Sequence, residues 1–177
     1  MNLKNNIIEK KVISLVKSVV GKGPKDLHVP LIKEIERDYV LKCLKTNVVS
    51  SVGEFTNKFE KLLKNFTKAK YVLLVNSGTS SLHLSMIGCD LKKNDEVLMP
   101  AFNFIAAANA VSYLGGIPHF VEIEDKTLGI DPEKLENYLN KILVKRGKFY
   151  INKITKNKVK AIIITHVFGH AAKIDQL

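Results

Sequence analysis

From residue 70 onward four short apolar runs, "YVLLV", "EVLMP", "IPHFVEI" and "VKAIIIT", alternate with helix-length segments at 79–90, 103–114 and 132–145. Runs this short and apolar predict strands buried on both faces. Strands separated by helices predict an α/β fold with a mostly parallel sheet, flanking helices and right-handed crossovers. Asp131 or Pro132 opens the third helix, with Glu133 in its first turn. Upstream the rhythm is helical throughout. Ile8, Val12, Leu15, Val16 and Val19 recur at helix spacing and stop at Gly21; 31–44 and 55–67 repeat the pattern. "GKGPKDLHVP" between them reads as a linker. The rhythm therefore changes from purely helical to strand-and-helix near residue 70.

Composition narrows the function classes. The 177 residues are 46% hydrophobic and 25% charged, enough for a globular core. No apolar run is long enough to span a bilayer, and the N-terminus mixes Lys and Glu through its apolar positions, unlike a signal peptide. A cytoplasmic protein without membrane partners is expected. Cys43 and Cys89 lack CxxC spacing and read as buried small hydrophobes in a reducing compartment. The net charge of +11 does not read as nucleic-acid binding. Of 28 basic residues only Arg37 and Arg146 are arginines, and the lysines are scattered without aromatic interleaving. A lysine-rich surface also attracts phosphorylated small molecules.

The chemistry concentrates at "NSGTSS", residues 76–81, where an apolar run ends and a helix begins. Ligands of open α/β sheets bind beyond strand carboxyl ends, and a helix N-terminus offers free N–H groups and a positive dipole end to an anion. Gly78 permits close approach, and Thr79, Ser80 and Ser81 add hydroxyls. This is a phosphate cradle in chemical terms, although Ser77 or Thr79 capping the helix explains the same residues. Neither GxxxxGK[ST] nor GxGxxG occurs, so a nucleotide P-loop and a dinucleotide fingerprint are unsupported. His166 and His170 in "HVFGH" share the spacing of a helical metal pair, but they follow a strand and flank Gly169, which argues against a metal.

The ordered segments "VVSSVGEFTNKFEKLL", "YVLLVNSGTSSLHL", "NDEVLMPAFNFIAAANAVSYLGGIPHFVEI", "TLGIDPEKLENYL" and "AIIITHVFGHAAKIDQL" resemble the DegT/StrS family of pyridoxal-phosphate (PLP) aminotransferases acting on nucleotide-linked sugars. "GKGPKDLHVPL", "FYINKITKNKVKA" and "HVFGH" resemble most its legionaminic-acid-type branch. The resemblance implies the N-terminal part of a type I PLP-dependent transferase (aspartate aminotransferase-like) fold, with 1–47 an N-terminal helical segment and 48–177 a partial large PLP-binding α/β domain. It implies that Gly78, Thr79 and Ser80 hold the pyridoxal 5'-phosphate phosphate and that Phe104 of "PAFNF" stacks on the pyridine ring. Read from the residues alone, Phe104 is an ordinary core aromatic. Asn103 and His166 are candidate substrate contacts; helix capping or a structural role explains them equally. Ala171 and Lys173 depart from the family pattern, which often has proline and an acidic residue there.

Transamination also needs a lysine that bonds the cofactor and a carboxylate that pairs with its ring nitrogen. In the family both lie downstream of the segment matching "HVFGHAAKIDQL", so no catalytic residue is assigned. The expectation is an N-terminal portion of an enzyme, inactive by itself, that is a homodimer at full length. The implied reaction transfers an amino group, from glutamate, to C4 of a nucleotide-linked 4-keto-6-deoxy sugar for cell-surface glycans. A non-catalytic phosphate-binding module and a PLP-dependent sugar dehydratase are the alternatives.

Overall fold

The computed structural model describes residues 3–177 apart from 22 and 25–28, so much of the linker read at 21–30 lies outside the described residues. The chain divides into two compact units, Met1–Lys70 and Tyr71–Leu177. In the first, helix α1 spans Leu3–Val20 and ends where Gly21, at φ 82°, donates its N–H to Lys17 O. Helix α2, Glu34–Lys45, opens with the Lys33 N–H held by the Glu36 carboxylate at 2.8 Å. Helix α3, Glu54–Thr67, follows Gly53, where a Cβ would come within 3.0 Å of Val48. Tyr39 packs edge-on against Phe55, their ring centres 4.9 Å apart. Even so, neither α2 nor α3 buries a single residue.

The second unit supplies the sheet. Helix α4 is Gly78–Gly88, strand β1 Glu96–Pro100, helix α5 Ile105–Ser112 and strand β2 Ile117–Val121. Helix α6, Pro132–Ile142, precedes strands β3 (Leu143–Arg146), β4 (Phe149–Asn152) and β5 (Lys158–Ile162). The order is β2-β1-β5-β4-β3. β1 runs parallel to β2 and β5, while β3 and β4 add an antiparallel edge. As the alternation of a strand requires, β1 feeds both faces. Val97 and Met99 join Met86, Leu91, Ala107 and Val111 under α4 and α5. Leu98 joins Val121, Ile130 and Leu135 under α6. Each buried Val, Leu, Ile or Met among these contributes about 1.5–3 kcal/mol of transfer free energy. Asp131 caps α6 by accepting the Lys134 N–H, and Pro132 sits where its missing N–H costs nothing.

Four expectations are corrected. "YVLLV" is not a strand of this sheet: Tyr71, Leu73 and Val75 are exposed, alternating with half-buried Val72 and Leu74. Among the described strands only β1 is buried along its whole length; β2 is an outer strand, and β5 is half-buried. The helix read at 132–145 stops at Ile142, and its last three residues turn into the β3–β4 hairpin around Gly147, at φ 59°. Helical spacing masked that hairpin because Leu143 and Val144 suit either structure. Both cysteines are free, but Cys89 is exposed and Cys43 only half-buried.

Candidate functional site

Ser77 has extended backbone and caps α4, its Oγ accepting the Ser80 N–H at 3.1 Å. Ser80 Oγ in turn donates to Asn76 Oδ1 at 2.8 Å. The Ser81 N–H begins the helical ladder on Ser77 O. The amides of Gly78 and Thr79 precede the reach of that ladder, and no group among the described residues takes them. A Cβ on Gly78 would meet nothing within 4 Å. Capping and cradling therefore fall to different atoms: Ser77 and Ser80 shape the turn, and two amides with the Thr79 hydroxyl remain as donors. The donor set fits a phosphate group. The run before this turn lies outside the sheet, so the turn is not at a sheet strand's end as expected.

The loops that follow the parallel strands β1 and β5 meet at their carboxyl edge, where Phe102 and Phe168 contact edge-on at 6.3 Å between ring centres. Phe104, directly before α5, is 77% exposed, not the core aromatic that its residue type suggests. Its accessible face is open to a planar ring. Asn103 caps nothing within α5; its Oδ1 takes the adjacent Phe104 N–H at 2.8 Å, and its Nδ2 is buried without a partner. A buried amide without an acceptor is costly, so this donor is available to a group entering the loop. His166 and His170 flank one short 3-10 turn, Val167–Gly169, in which Phe168 is left-handed at φ 52°. The His166 Nδ1 accepts the Ala172 N–H at 3.1 Å.

Sequence reasoning missed two ionic clusters. In the turn after β2, the Glu124 carboxylate accepts the Thr127 N–H at 2.7 Å, the Lys126 N–H at 3.1 Å and the Thr127 hydroxyl. Lys173 reaches it at 3.2 Å. The Thr127 hydroxyl, the two amides and Lys173 together hold the Glu124 carboxyl down at about 2, against the opposing effect of burial. "EDKTLG" carries a turn signal, but its partner Lys173 lies in a separate loop and left none. At the amino end of β1, Glu96 is 1% exposed and accepts from Asn152 Nδ2 at 3.0 Å and from the Thr155 hydroxyl. It also pairs with His119 Nδ1 at 2.7 Å, and His119 Nε2 meets Tyr138 Oη at 2.9 Å. Burial alone would raise the Glu96 carboxyl; bonds from Thr155, Asn152 and His119 outweigh it and lower the group. A separate cavity of about 700 Å³ between α6 and the sheet involves none of the candidate residues.

The fold is that of PLP-dependent aminotransferases: NtdA of Bacillus subtilis, solved with its cofactor PMP bound, superposes with a TM-score of 0.63 at 28% identity, over 88% of this chain and 34% of that one. Residues 30–177 match the DegT/DnrJ/EryC1/StrS aminotransferase family, and the chain belongs to it. It is 33% identical over 142 residues to a GDP-perosamine synthase of Caulobacter vibrioides, covering 80% of this chain and 34% of the relative. It is 37% identical over 114 residues to the 3-oxo-glucose-6-phosphate:glutamate aminotransferase of Bacillus subtilis, covering 61% of this chain and 26% of the relative. The chain thus spans about a quarter to a third of the length of these curated relatives.

Proposed function

We propose that this chain is the N-terminal, phosphate-binding portion of a sugar aminotransferase that uses pyridoxal 5'-phosphate. The amides of Gly78 and Thr79, with the Thr79 hydroxyl, hold the cofactor phosphate; Ser80, whose hydroxyl is given to Asn76, takes part by fixing the turn, and Phe104 stacks on the cofactor ring. The bound cofactor supplies an electron sink for moving an amino group. Asn103, through its unpartnered Nδ2, and His166 contact the substrate. That substrate is a nucleotide-linked 4-keto-6-deoxy sugar aminated at C4, and glutamate is the donor. The whole protein is a cytoplasmic homodimer making cell-surface glycan precursors of the legionaminic-acid type. Residues 48–177 belong to its large cofactor-binding domain. Alone, the 177 residues do not transaminate.

The observation that carries the reading is the pair of free amides at a glycine-opened helix start, in a chain of this family. Titrating the isotope-labelled chain with millimolar pyridoxal 5'-phosphate should shift the amide resonances of Gly78 and Thr79 and the ring signals of Phe104. Resonances that stay fixed at those three residues would overturn the site. Turnover of a 4-keto nucleotide sugar with glutamate by the purified chain would overturn the claim of inactivity.

A further inference from the structure

Backbone N–H groups only donate, so the Ala172 N–H leaves His166 Nδ1 no role but acceptor. In the neutral ring the proton then sits on Nε2. Among the described residues Nε2 has no partner, and the side chain is exposed. A fixed Ala172 amide is therefore equivalent to a fixed tautomer. Two contacts fix that amide from the neighbouring loop. Lys173, the next residue, is tied to Glu124, whose carboxylate is held in turn by Thr127 and the Lys126 amide. Ala172 itself is buried against Gly129, where an added Cβ would stand 3.0 Å from the Ala172 Cβ.

We propose that Glu124 and Lys173 are positioning residues that clamp the 166–173 loop and lock His166 in its Nε2–H tautomer, a hydrogen-bond donor of fixed direction for an acceptor oxygen. The proposal deepens the reading of His166 as a substrate contact and rests on it for its use. The positive charge at 173 belongs to this clamp: a carboxylate there would repel Glu124. Gly129 is the third part, since any larger residue presses on Ala172, whose amide His166 accepts.

The tautomer is read without any ligand, so failed cofactor binding would remove the proposed function and leave this result standing. Histidine-labelled chain at mildly basic pH should show, in long-range 1H–15N correlation spectra, an acceptor-type Nδ1 and a protonated Nε2 for His166. Lys173→Met and Glu124→Gln should each lose that single-tautomer signature, giving averaged nitrogen shifts, while His119 keeps its own pattern as proof of folding. Lys173→Arg should restore it. Mixed tautomers in the unaltered chain would overturn the proposal. So would a single Nε2–H tautomer that persists in folded Lys173→Met and Glu124→Gln. Gly129→Ala supplies an independent perturbation if the charge variants fold poorly, and an unchanged His166 signature there would count against the clamp.

Discussion

The two ends of β1 are built on opposite terms. At its amino end Glu96 is nearly sealed from solvent, and its carboxylate has hydrogen-bond partners from two other strands or their turns. Just beyond its carboxyl end Phe104 lies open and Asn103 Nδ2 is buried with nothing to bond. One strand therefore carries a fully satisfied polar knot at one edge and an unsatisfied, accessible loop at the other. Satisfied groups stabilise the chain; unsatisfied ones are available to a ligand.

Substitutions should separate the two ends. The largest loss is expected from Glu96→Ala, which leaves His119 and Asn152 without their acceptor; about 3–5 kcal/mol should disappear from the urea unfolding free energy. A variant within 1 kcal/mol of the parent would dissolve the contrast. Gly116→Ala places a Cβ 2.9 Å from both Leu91 Cδ2 and Val111 Cγ1, beside the same amino edge. Overpacking of that kind should cost about 1–3 kcal/mol, visible as a lowered Tm. Ser77→Ala removes the cap of α4, for about 1 kcal/mol, and calorimetry would register it. Phe104→Ala at the open end should move stability by less than about 0.5 kcal/mol, yet abolish the pyridoxal phosphate shifts. A large stability loss there would make Phe104 a core residue after all.

Acid sharpens the comparison further. The Glu124 carboxyl is lowered from 4.5 to about 2, so its contribution is fully present above pH 4.5 and lost as pH falls towards 2. Glu96 is lowered in the same direction. Unfolding free energy followed from pH 6 to 2 should fall less steeply in Glu124→Gln than in the parent. Parallel curves would remove Glu124 from the acid response.

Most of the fold was legible because it is written locally. The caps at Ser77 and Asp131, the glycine after α1 and the apolar runs of β1, β2 and β5 each follow from neighbouring residues. "YVLLV" misled because an apolar run reports a need for burial without naming the strand that meets it. The β3–β4 hairpin was hidden under a helical spacing that Leu143 and Val144 continue. At the site, the "NSGTSS" turn could be read from residue types alone, and the assignment to Phe104 came through resemblance. Glu96, His119, Glu124 and Lys173 stayed invisible, since the pairings Glu96–His119 and Glu96–Thr155 span 23 and 59 positions and Glu124–Lys173 joins two separate loops.

The helices α2 and α3, whose residues all retain solvent contact, have a kinetic consequence. Their backbone hydrogen bonds are shielded by little more than a neighbouring turn, so opening them exposes almost no new apolar surface. In deuterated water their amides should exchange through small local fluctuations, within the time of a first spectrum. The amides of Met99 and Val111, enclosed on every side, should wait for the second unit to open as a whole.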